Sequence, residues 1–284
     1  MARHENYATD VPCTWCPGCG NYAIVDALED ALTQMNLLPH QVIISSGIGQ
    51  AAKVPHFIKC NGFNGLHGRA VPVAVAAKLA ADDLKVLVHS GDGCSYGEGC
   101  NHLIHGIRRN IDVTVIVHDN RIYGLTKGQS SPTTPFGQST STERNGVLAE
   151  PLNPIALALS QRCSFVAQAF SGAKEQLSNI IQQAVKHNGF SLINVLQPCV
   201  SFNKVHTFKW FKENTYTLDD SYDESDIESG FSLAMRKDGK LPLGVIHVNE
   251  RPTYSDLILD GIEHPLRARG VEPERVNKLL SRFR

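Results

Sequence analysis

Residues 84–120 decide the fold class, and they read LKVLVHSGDGCSYGEGCNHLIHGIRRNIDVTVIVHDN. Two short apolar runs, at 84–89 and 112–118, have the length and the valine and isoleucine content of buried strands. The segment between them, around 98–109, has room for a helix that crosses from one strand to the next. Because a crossover of this kind joins parallel strands, the stretch predicts a βαβ unit within a parallel α/β sheet.

The same alternation of helix and strand patterns continues on both sides of this unit, from residue 21 to about residue 197. The further predicted elements are a helix beginning at residue 21, a strand at 41–46, a helix over 177–185 and a last strand at 190–196. We expect the mostly parallel sheet, flanked by helices, to stop there. The chain is therefore divided into an α/β domain over 1–199 and an irregular C-terminal extension over 200–284.

Charge and hydropathy exclude two classes of protein. The 284 residues carry 27 Lys and Arg against 28 Asp and Glu, so there is no basic excess to neutralise the phosphates of a nucleic acid. The N-terminus lacks the apolar stretch of a secretory signal, and the longest apolar run, 70–77, is far shorter than the roughly 18 residues that span a membrane. We expect a cytoplasmic protein that binds neither nucleic acid nor a membrane.

Polar residues follow both strands of the βαβ unit. Gly91, Asp92 and Gly93 come directly after the first strand, and Asn120 follows the second. Glycines let the backbone approach phosphate oxygens, and side-chain oxygens of Asp and Asn are ligands that Mg²⁺ prefers. A lone Gly-Asp-Gly is also an ordinary turn, but the pair of motifs predicts a diphosphate and magnesium site at the carboxyl ends of the strands. The segment that follows, 126–154, is predicted to be a long ordered loop or a lid.

A second group of chemically reactive side chains lies near the N-terminus, in Cys13-Thr-Trp-Cys16-Pro-Gly-Cys19. Two-residue spacings let one loop offer several thiolates to one metal centre. Spacing alone leaves three interpretations open: an iron–sulfur cluster, a zinc knuckle and a thioredoxin-like redox pair. The eight cysteines of a cytoplasmic chain are more consistent with thiols or metal ligands than with a disulfide framework.

Together, WCPGCGN near the start and GDGCSYGEGCNHLIHGIRRN followed by HDNRIYGLTKGQ resemble the β subunit of two-subunit 2-oxoacid:ferredoxin oxidoreductases, over roughly residues 13–205. This resemblance implies a thiamine-diphosphate-binding fold. It implies that Asp92, Asn120 and the backbone carbonyl of Ile122 hold Mg²⁺, and that Lys53 lies near the substrate carboxylate. The cofactor would be lined by Ile48, Gly49, His67, Gly91, Asp92, Gly93, Asn120, Ile122, Gly124, Leu125 and Thr126.

The resemblance also implies one 4Fe-4S cluster, held by Cys16 and Cys19 of the N-terminal loop and by Cys199 after the last strand. In many relatives a cysteine follows the string SGIG, but in this chain that position is Gln50. Two cysteines compete for the place of the fourth ligand. We favour Cys60 over Cys13, because three ligands on one tight loop leave little freedom to reach the distant Cys199.

The implied activity is the CoA-dependent oxidative decarboxylation of a 2-oxoacid to acyl-CoA and CO₂, with reduction of ferredoxin or a similar carrier, and it can also run in reverse. 2-Oxoglutarate is the predicted substrate and pyruvate the alternative. Since 200–284 is too short for a second α/β half, we expect a partner α subunit to supply the activating glutamate, so that the β chain alone is inactive. Two other classes stay open: a non-oxidative thiamine enzyme with a structural metal site, and a non-enzymatic zinc or iron–sulfur module that binds a partner.

Overall fold

A computed structural model describes residues 7–236, 238–258 and 273–281, which form one eight-stranded sheet with helices on both faces. The strands are β1 Val42–Ser46, β2 Asn61–Asn64, β3 Lys85–Gly91, β4 Thr114–Asp119, β5 Phe165–Phe170, β6 Ser191–Leu196, β7 Thr215–Thr217 and β8 Leu241–Val248. The helices are α1 Gly20–Gln34, α2 Val54–Phe57, α3 Ala70–Ala80, α4 Cys100–Arg109, α5 Pro154–Ser160, α6 Lys174–Lys186, α7 Phe208–Asn214, α8 Ile227–Ala234, α9 Tyr254–Ile258 and α10 Pro273–Leu280. Among the described residues no helix is long and apolar enough to cross a bilayer.

The strands follow the order β2-β1-β3-β4-β6-β5-β8-β7, and all pairings among β1 to β6 are parallel. The predicted βαβ unit is confirmed, with α4 between β3 and β4. Strands β1, β3, β4 and β6 therefore end side by side at one edge of the sheet, which we call the carboxyl edge. Ligands of open α/β sheets bind outside this edge.

Side chains that alternate along each strand build two cores, one on each face of the sheet. Leu87 and Ile116 pack with α1 and α6, whereas Val88 and Val115 pack with α3, α4 and α5 on the other face. The helix predicted from residue 21 buries Ile24, Leu28 and Leu32 in the first core, which explains its period. These two layers hold the sheet between helices and fix the position of the carboxyl edge.

The prediction that the sheet stops after residue 196 is wrong. Strand β8 pairs antiparallel with β5, and β7 pairs with β8, so the C-terminal segment adds two strands and is not irregular. The pairing covers β5, whose backbone groups would otherwise be left at an open edge. Phe211 of α7 is fully buried against Phe170 and Leu196, so the segment also packs over the ends of β5 and β6. The division of the chain between residues 199 and 200 stays a prediction.

Two histidines are buried without any exposed surface near the ends of β3 and β4. His89 Nδ1 lies 2.9 Å from His118 Nε2, and His118 Nδ1 lies 2.8 Å from Asn21 Oδ1 of α1. Because the Asn21 oxygen can only accept, His118 carries its proton on Nδ1 and accepts the Nδ1 proton of His89. Burial lowers the pKa of His89 to about 3 and holds the pKa of His118 well below its ordinary value.

These neutral histidines are expected to destabilise the fold in acid. Both take up a proton when the chain unfolds below about pH 6.5, so the free energy of unfolding falls by about 2 kcal/mol per histidine between pH 7 and 5. Urea denaturation of the chain at several pH values measures this slope. The variant His89→Leu removes one of the two groups and is expected to show a shallower loss, and an unchanged slope would contradict the assignment.

Candidate cofactor site

The carboxylate of Asp92 lies just past β3 and is almost completely buried. The predicted loop 126–154 contains no helix or strand before α5 begins at Pro154, and it folds back onto this position. Ser131 Oγ donates to Asp92 Oδ2 at 2.5 Å, and Thr133 Oγ1 lies 2.7 Å from the same oxygen. The loop is therefore ordered by contact with the strand end, as predicted.

A second buried carboxylate, Asp119, lies next to Asp92 at the end of β4. Thr133 Oγ1 is also 2.7 Å from Asp119 Oδ1, and Asn194 Nδ2 donates to Asp119 Oδ2 at 3.1 Å. Burial and the neighbouring charge of Asp119 raise the pKa of Asp92 to about 7. The buried guanidinium of Arg121 lies close enough to both carboxylates to feel their charge. The raised pKa means that Asp92 binds a proton readily when no cation is present, and a bound cation would take the place of that proton.

Close packing of three loops at the carboxyl edge explains Gly93 of the Gly-Asp-Gly motif and Gly47 of the loop after β1. A Cβ atom built on Gly93 would lie 2.2 Å from Tyr123 Cε1, and one on Gly47 would lie 2.4 Å from Cys94 Sγ. The backbone N–H of Gly68 donates to Cys94 Sγ at 3.1 Å. Cys94 thus joins the loops that follow β1, β2 and β3, which agrees with a packing role for this cysteine.

The loop after β4 carries the other predicted cofactor residues. The Ile122 N–H donates to Asn120 Oδ1 at 3.0 Å, and Asn203 Nδ2 donates to the Asn120 carbonyl at 3.0 Å. Ile122 is buried, whereas Leu125 and Thr126 are exposed to solvent. Gly91 at the end of β3 pairs with His118 of β4, and Tyr123 Oη of the loop after β4 donates to the Gly93 carbonyl at 3.3 Å. The structure therefore brings both halves of the predicted diphosphate site to one place.

The remaining predicted cofactor and substrate residues lie around the same edge. Ile48 is 40% exposed, and a Cβ on Gly49 would meet no atom within 4 Å, so the loop after β1 borders open space. His67 Nδ1 lies 2.9 Å from Glu98 Oε2. Lys53 Nζ donates to Thr14 Oγ1 of the cysteine loop at 3.4 Å.

Three of the predicted cluster ligands, Cys16, Cys19 and Cys199, line one cavity together with Gln50. Asn120 and Gly124 of the predicted diphosphate site line the same cavity, which we call the cluster cavity. A Cβ on Gly124 would lie 3.8 Å from Cys199 Sγ. Burial raises the pKa of the Cys19 thiol to about 11, and the nearby charges of Cys199 and Cys16 add to the shift. Thiolates that repel one another are stabilised by a cationic metal centre, so this set of three sulfur donors fits one.

Comparisons with known proteins agree with this arrangement. Residues 41–195 match the family model described as thiamine pyrophosphate enzyme, C-terminal TPP binding domain, and residues 199–260 match the model for the C terminal part of the pyruvate ferredoxin oxidoreductase beta subunit. The chain is 40% identical over 263 residues to 2-oxoacid:ferredoxin oxidoreductase 1, subunit beta, of Aeropyrum pernix, covering 88% of this chain and 83% of that one. The chain belongs to the 2-oxoacid:ferredoxin oxidoreductase β-subunit family.

Two further comparisons support this family. The 2-oxoglutarate synthase subunit KorB of Methanocaldococcus jannaschii is 33% identical over 252 residues, which cover 86% of this chain and 90% of that one. The solved structure of 2-oxoglutarate:ferredoxin oxidoreductase from Magnetococcus marinus, with 2-oxoglutarate, coenzyme A and succinyl-CoA bound, has a TM-score of 0.92 and 33% identity, covering 99% of this chain and 95% of that one. The predicted fold class, the thiamine-diphosphate-binding domain and the oxidoreductase class are confirmed, and the non-oxidative and non-enzymatic classes do not apply.

The structure does not bring Cys60 to the cluster cavity of this oxidoreductase β subunit. Asn61 of β2 pairs with Ile43, so Cys60 lies level with Val42, at the amino ends of the strands and opposite the carboxyl edge. Four residues of strand separate that level from Ser46 at the carboxyl edge, about 13 Å. Our preference for Cys60 as the fourth ligand is therefore not supported. Although Cys60 is close to Gln50 in sequence, the chain turns back through α2 and carries Cys60 away from the carboxyl edge.

The alternative fourth ligand, Cys13, lines a neighbouring cavity whose wall also includes the predicted ligand Cys19, with Trp15 and Tyr22. Within the described ranges, no group of three or more His, Cys, Asp or Glu side chains is close enough together to hold a metal ion. The cluster cavity thus presents three thiols with Cys13 near one of them, and the identity of the fourth ligand stays a prediction.

Several residues of the oxidoreductase site were missed from the sequence. Ser131 and Thr133 lie in a loop without periodicity, and Asn194 points from β6 toward Asp119. Arg121 has a left-handed backbone, with φ at 59°, and its guanidinium lies 5.5 Å from the ring centroids of Trp210 and Phe211. Only Arg121 could have been found from the sequence, because it directly follows the predicted metal ligand Asn120 and a cation there can balance the charge of nearby carboxylates.

Proposed function

We propose that Asp92, the side chain of Asn120 and the carbonyl of Ile122 hold Mg²⁺, which binds the diphosphate of thiamine diphosphate. The two adjacent buried carboxyl groups of Asp92 and Asp119, which repel each other when both are ionised, support a cation at this place. Gly91, Gly93 and Gly124 give the diphosphate access to the backbone, and the exposed Leu125, Thr126, Ile48 and Gly49 line the rest of the cofactor, with His67 near the diphosphate.

We propose further that Cys16, Cys19 and Cys199 hold a 4Fe-4S cluster. The observation that carries this proposal is the shared cavity, in which these thiols and the diphosphate-site residues Asn120 and Gly124 are neighbours. Thiamine diphosphate supplies a carbanion and an electron sink for chemistry on 2-oxoacids. A cluster that touches the cofactor loop can receive the electrons directly, so this chain's own residues set the distance of electron transfer.

The proposed overall reaction converts a 2-oxoacid and coenzyme A to acyl-CoA and CO₂, releasing two electrons and one proton. The electrons pass to two ferredoxin molecules or a similar carrier. 2-Oxoglutarate is the proposed substrate, because relatives named KorB and the Magnetococcus marinus enzyme are named for it. Pyruvate is the second candidate, because residues 199–260 match a family named for pyruvate. Lys53 is proposed to pair with the substrate carboxylate.

Apolar side chains exposed around the carboxyl edge support a partner α subunit. They follow the ends of β1, β2, β4 and β6, and a lone protein rarely leaves several of them exposed around one site. The exposed fractions are 40% for Ile48, 73% for Leu66, 43% for Leu125, 40% for Phe202 and 53% for Val205. We propose that the α subunit packs over these residues, closes the cofactor site and contributes the glutamate that activates thiamine.

Anaerobic assays of the co-expressed α and β chains test this function. We expect carrier reduction that requires both subunits, coenzyme A and a 2-oxoacid, with a kcat/KM at least about tenfold higher for 2-oxoglutarate than for pyruvate. Turnover by the β chain alone would contradict the division between subunits. A preference for pyruvate would replace the substrate assignment and leave the rest of the proposal in place.

A further inference from the structure

The cluster cavity contains polar side chains besides its three thiols, and one of them is Gln50. Gln50 lines the cavity together with the three thiols of Cys16, Cys19 and Cys199. Trp15 Nε1 donates to the Gln50 carbonyl at 2.8 Å, which fixes the backbone of Gln50 beside the cysteine loop. Gln50 therefore lines this cavity, and its backbone is held there by the hydrogen bond from Trp15.

The amide oxygen of Gln50 is buried and has no hydrogen-bond partner among the described residues. A buried acceptor without a partner destabilises the fold, and a ligand bound to this oxygen would remove that cost. The thiols around it are weak donors, whereas iron accepts oxygen ligands. The unpartnered oxygen and the three thiols therefore match the four ligands of one cluster.

A neighbouring glutamine, Gln197, lines the same cavity, and its amide oxygen is also buried without a partner among the described residues. The two differ in their amide nitrogens, because Gln197 Nε2 donates to Cys19 Sγ at 3.5 Å and to the Pro198 carbonyl at 2.8 Å. Both donations fix this amide against a predicted ligand, so Gln197 fits a hydrogen bond to the cluster sulfur. Gln50 Nε2 has no such contact to a thiol among the described hydrogen bonds.

We propose that Gln50 Oε1 is the fourth ligand of the cluster, in place of a thiolate. This inference rests on the proposed function, since it requires the cluster. A neutral amide oxygen leaves the cluster one negative charge short of the all-cysteine form, which raises its reduction potential. It also singles out one iron that is held more weakly than the other three.

The weak iron has a defined oxidative chemistry. A one-electron oxidant such as ferricyanide converts the 4Fe-4S cluster from the 2+ to the 3+ state. The oxidised cluster then releases one Fe²⁺ and leaves a 3Fe-4S cluster in the 1+ state, which has an EPR signal. A cluster with four thiolates resists this loss, so iron release reports the identity of the fourth ligand.

The test uses the anaerobically purified αβ complex, with iron and sulfide analysis and EPR before and after one equivalent of ferricyanide. We expect about four irons per cluster in the native complex and conversion to 3Fe-4S on oxidation. Gln50→Cys is expected to keep four irons on oxidation and to have a more negative potential. Gln50→Leu is expected to contain about three irons before any oxidant is added, and Gln50→Glu, which keeps an oxygen ligand, to contain four.

Cys60→Ser, Cys13→Ser and Gln197→Leu are the matched controls, and each is expected to retain four irons. An iron loss in any of these variants comparable to that of Gln50→Leu would overturn the proposal and identify another ligand. Equal iron content in Gln50→Leu and the native complex would also overturn it. Absence of iron and sulfide from the native complex would instead overturn the proposed function, and this inference with it.

Discussion

The variant Asp92→Asn is expected to abolish magnesium-dependent binding of thiamine diphosphate and, with it, turnover. The asparagine oxygen can still accept from Ser131 and Thr133, so the local hydrogen bonds and the fold are kept. The carboxylate charge is lost, and a neutral amide is a much poorer ligand for Mg²⁺. We expect the affinity for the cofactor to fall at least about a hundredfold.

Calorimetric titration of the αβ complex with thiamine diphosphate and Mg²⁺ measures this loss. Asp119→Asn is the matched control, because it removes an equally buried carboxylate that is not a proposed ligand. The Asp92→Asn variant should unfold no more easily than the native protein, since repulsion between Asp92 and Asp119 is removed. Loss of cofactor binding in Asp119→Asn with normal binding in Asp92→Asn would reverse the assignment of the metal ligand.

The second large effect is expected for Cys199→Ser, which should lose the iron–sulfur cluster. Cys199 is the one predicted ligand that reaches the cavity from the C-terminal side of β6, so the loop of Cys16 and Cys19 cannot replace it. We expect iron to fall from about four atoms to less than one per chain, with loss of electron transfer to ferredoxin.

Iron and sulfide analysis of the purified complex checks this prediction, and thiamine diphosphate content is measured on the same sample. Cys163→Ser is the control, since Cys163 is fully buried and its thiol lies 3.3 Å from both the Phe165 and the Phe190 carbonyl oxygens, to either of which a serine hydroxyl can also donate. The control should retain both groups. A full cluster in Cys199→Ser would remove this cysteine from the ligand set.

Hydrophobic periodicity in the sequence predicted those helices and strands whose apolar residues recur at a regular spacing. Strands β3, β4 and β6 are rich in Val, Ile and Leu, and α1 and α6 have clear apolar faces, so their positions follow from the sequence. Strand β8 was missed, because its place in the sheet depends on β5, which lies about 75 residues away in the chain. No local pattern encodes such a pairing.

The sequence predicted those site residues that directly follow a strand. It missed the residues of loops that reach the site from a distant part of the chain. Asp92 and Asn120 come together because β3 and β4 are neighbours. Ser131 and Thr133 reach Asp92 through a loop whose path no period specifies. Cys60 was favoured for its nearness to Gln50 in the chain, but the strand pairing of β1 and β2 places it at the other edge of the sheet.

The central claim is that one chain holds both thiamine diphosphate and an iron–sulfur cluster, in contact at the carboxyl edge. The most direct measurement is the iron, sulfide and thiamine diphosphate content of a single anaerobic preparation of the αβ complex. We predict about four irons, four sulfides and one thiamine diphosphate per β chain, without zinc. Thiamine diphosphate without iron, or zinc in place of iron, would contradict the claim.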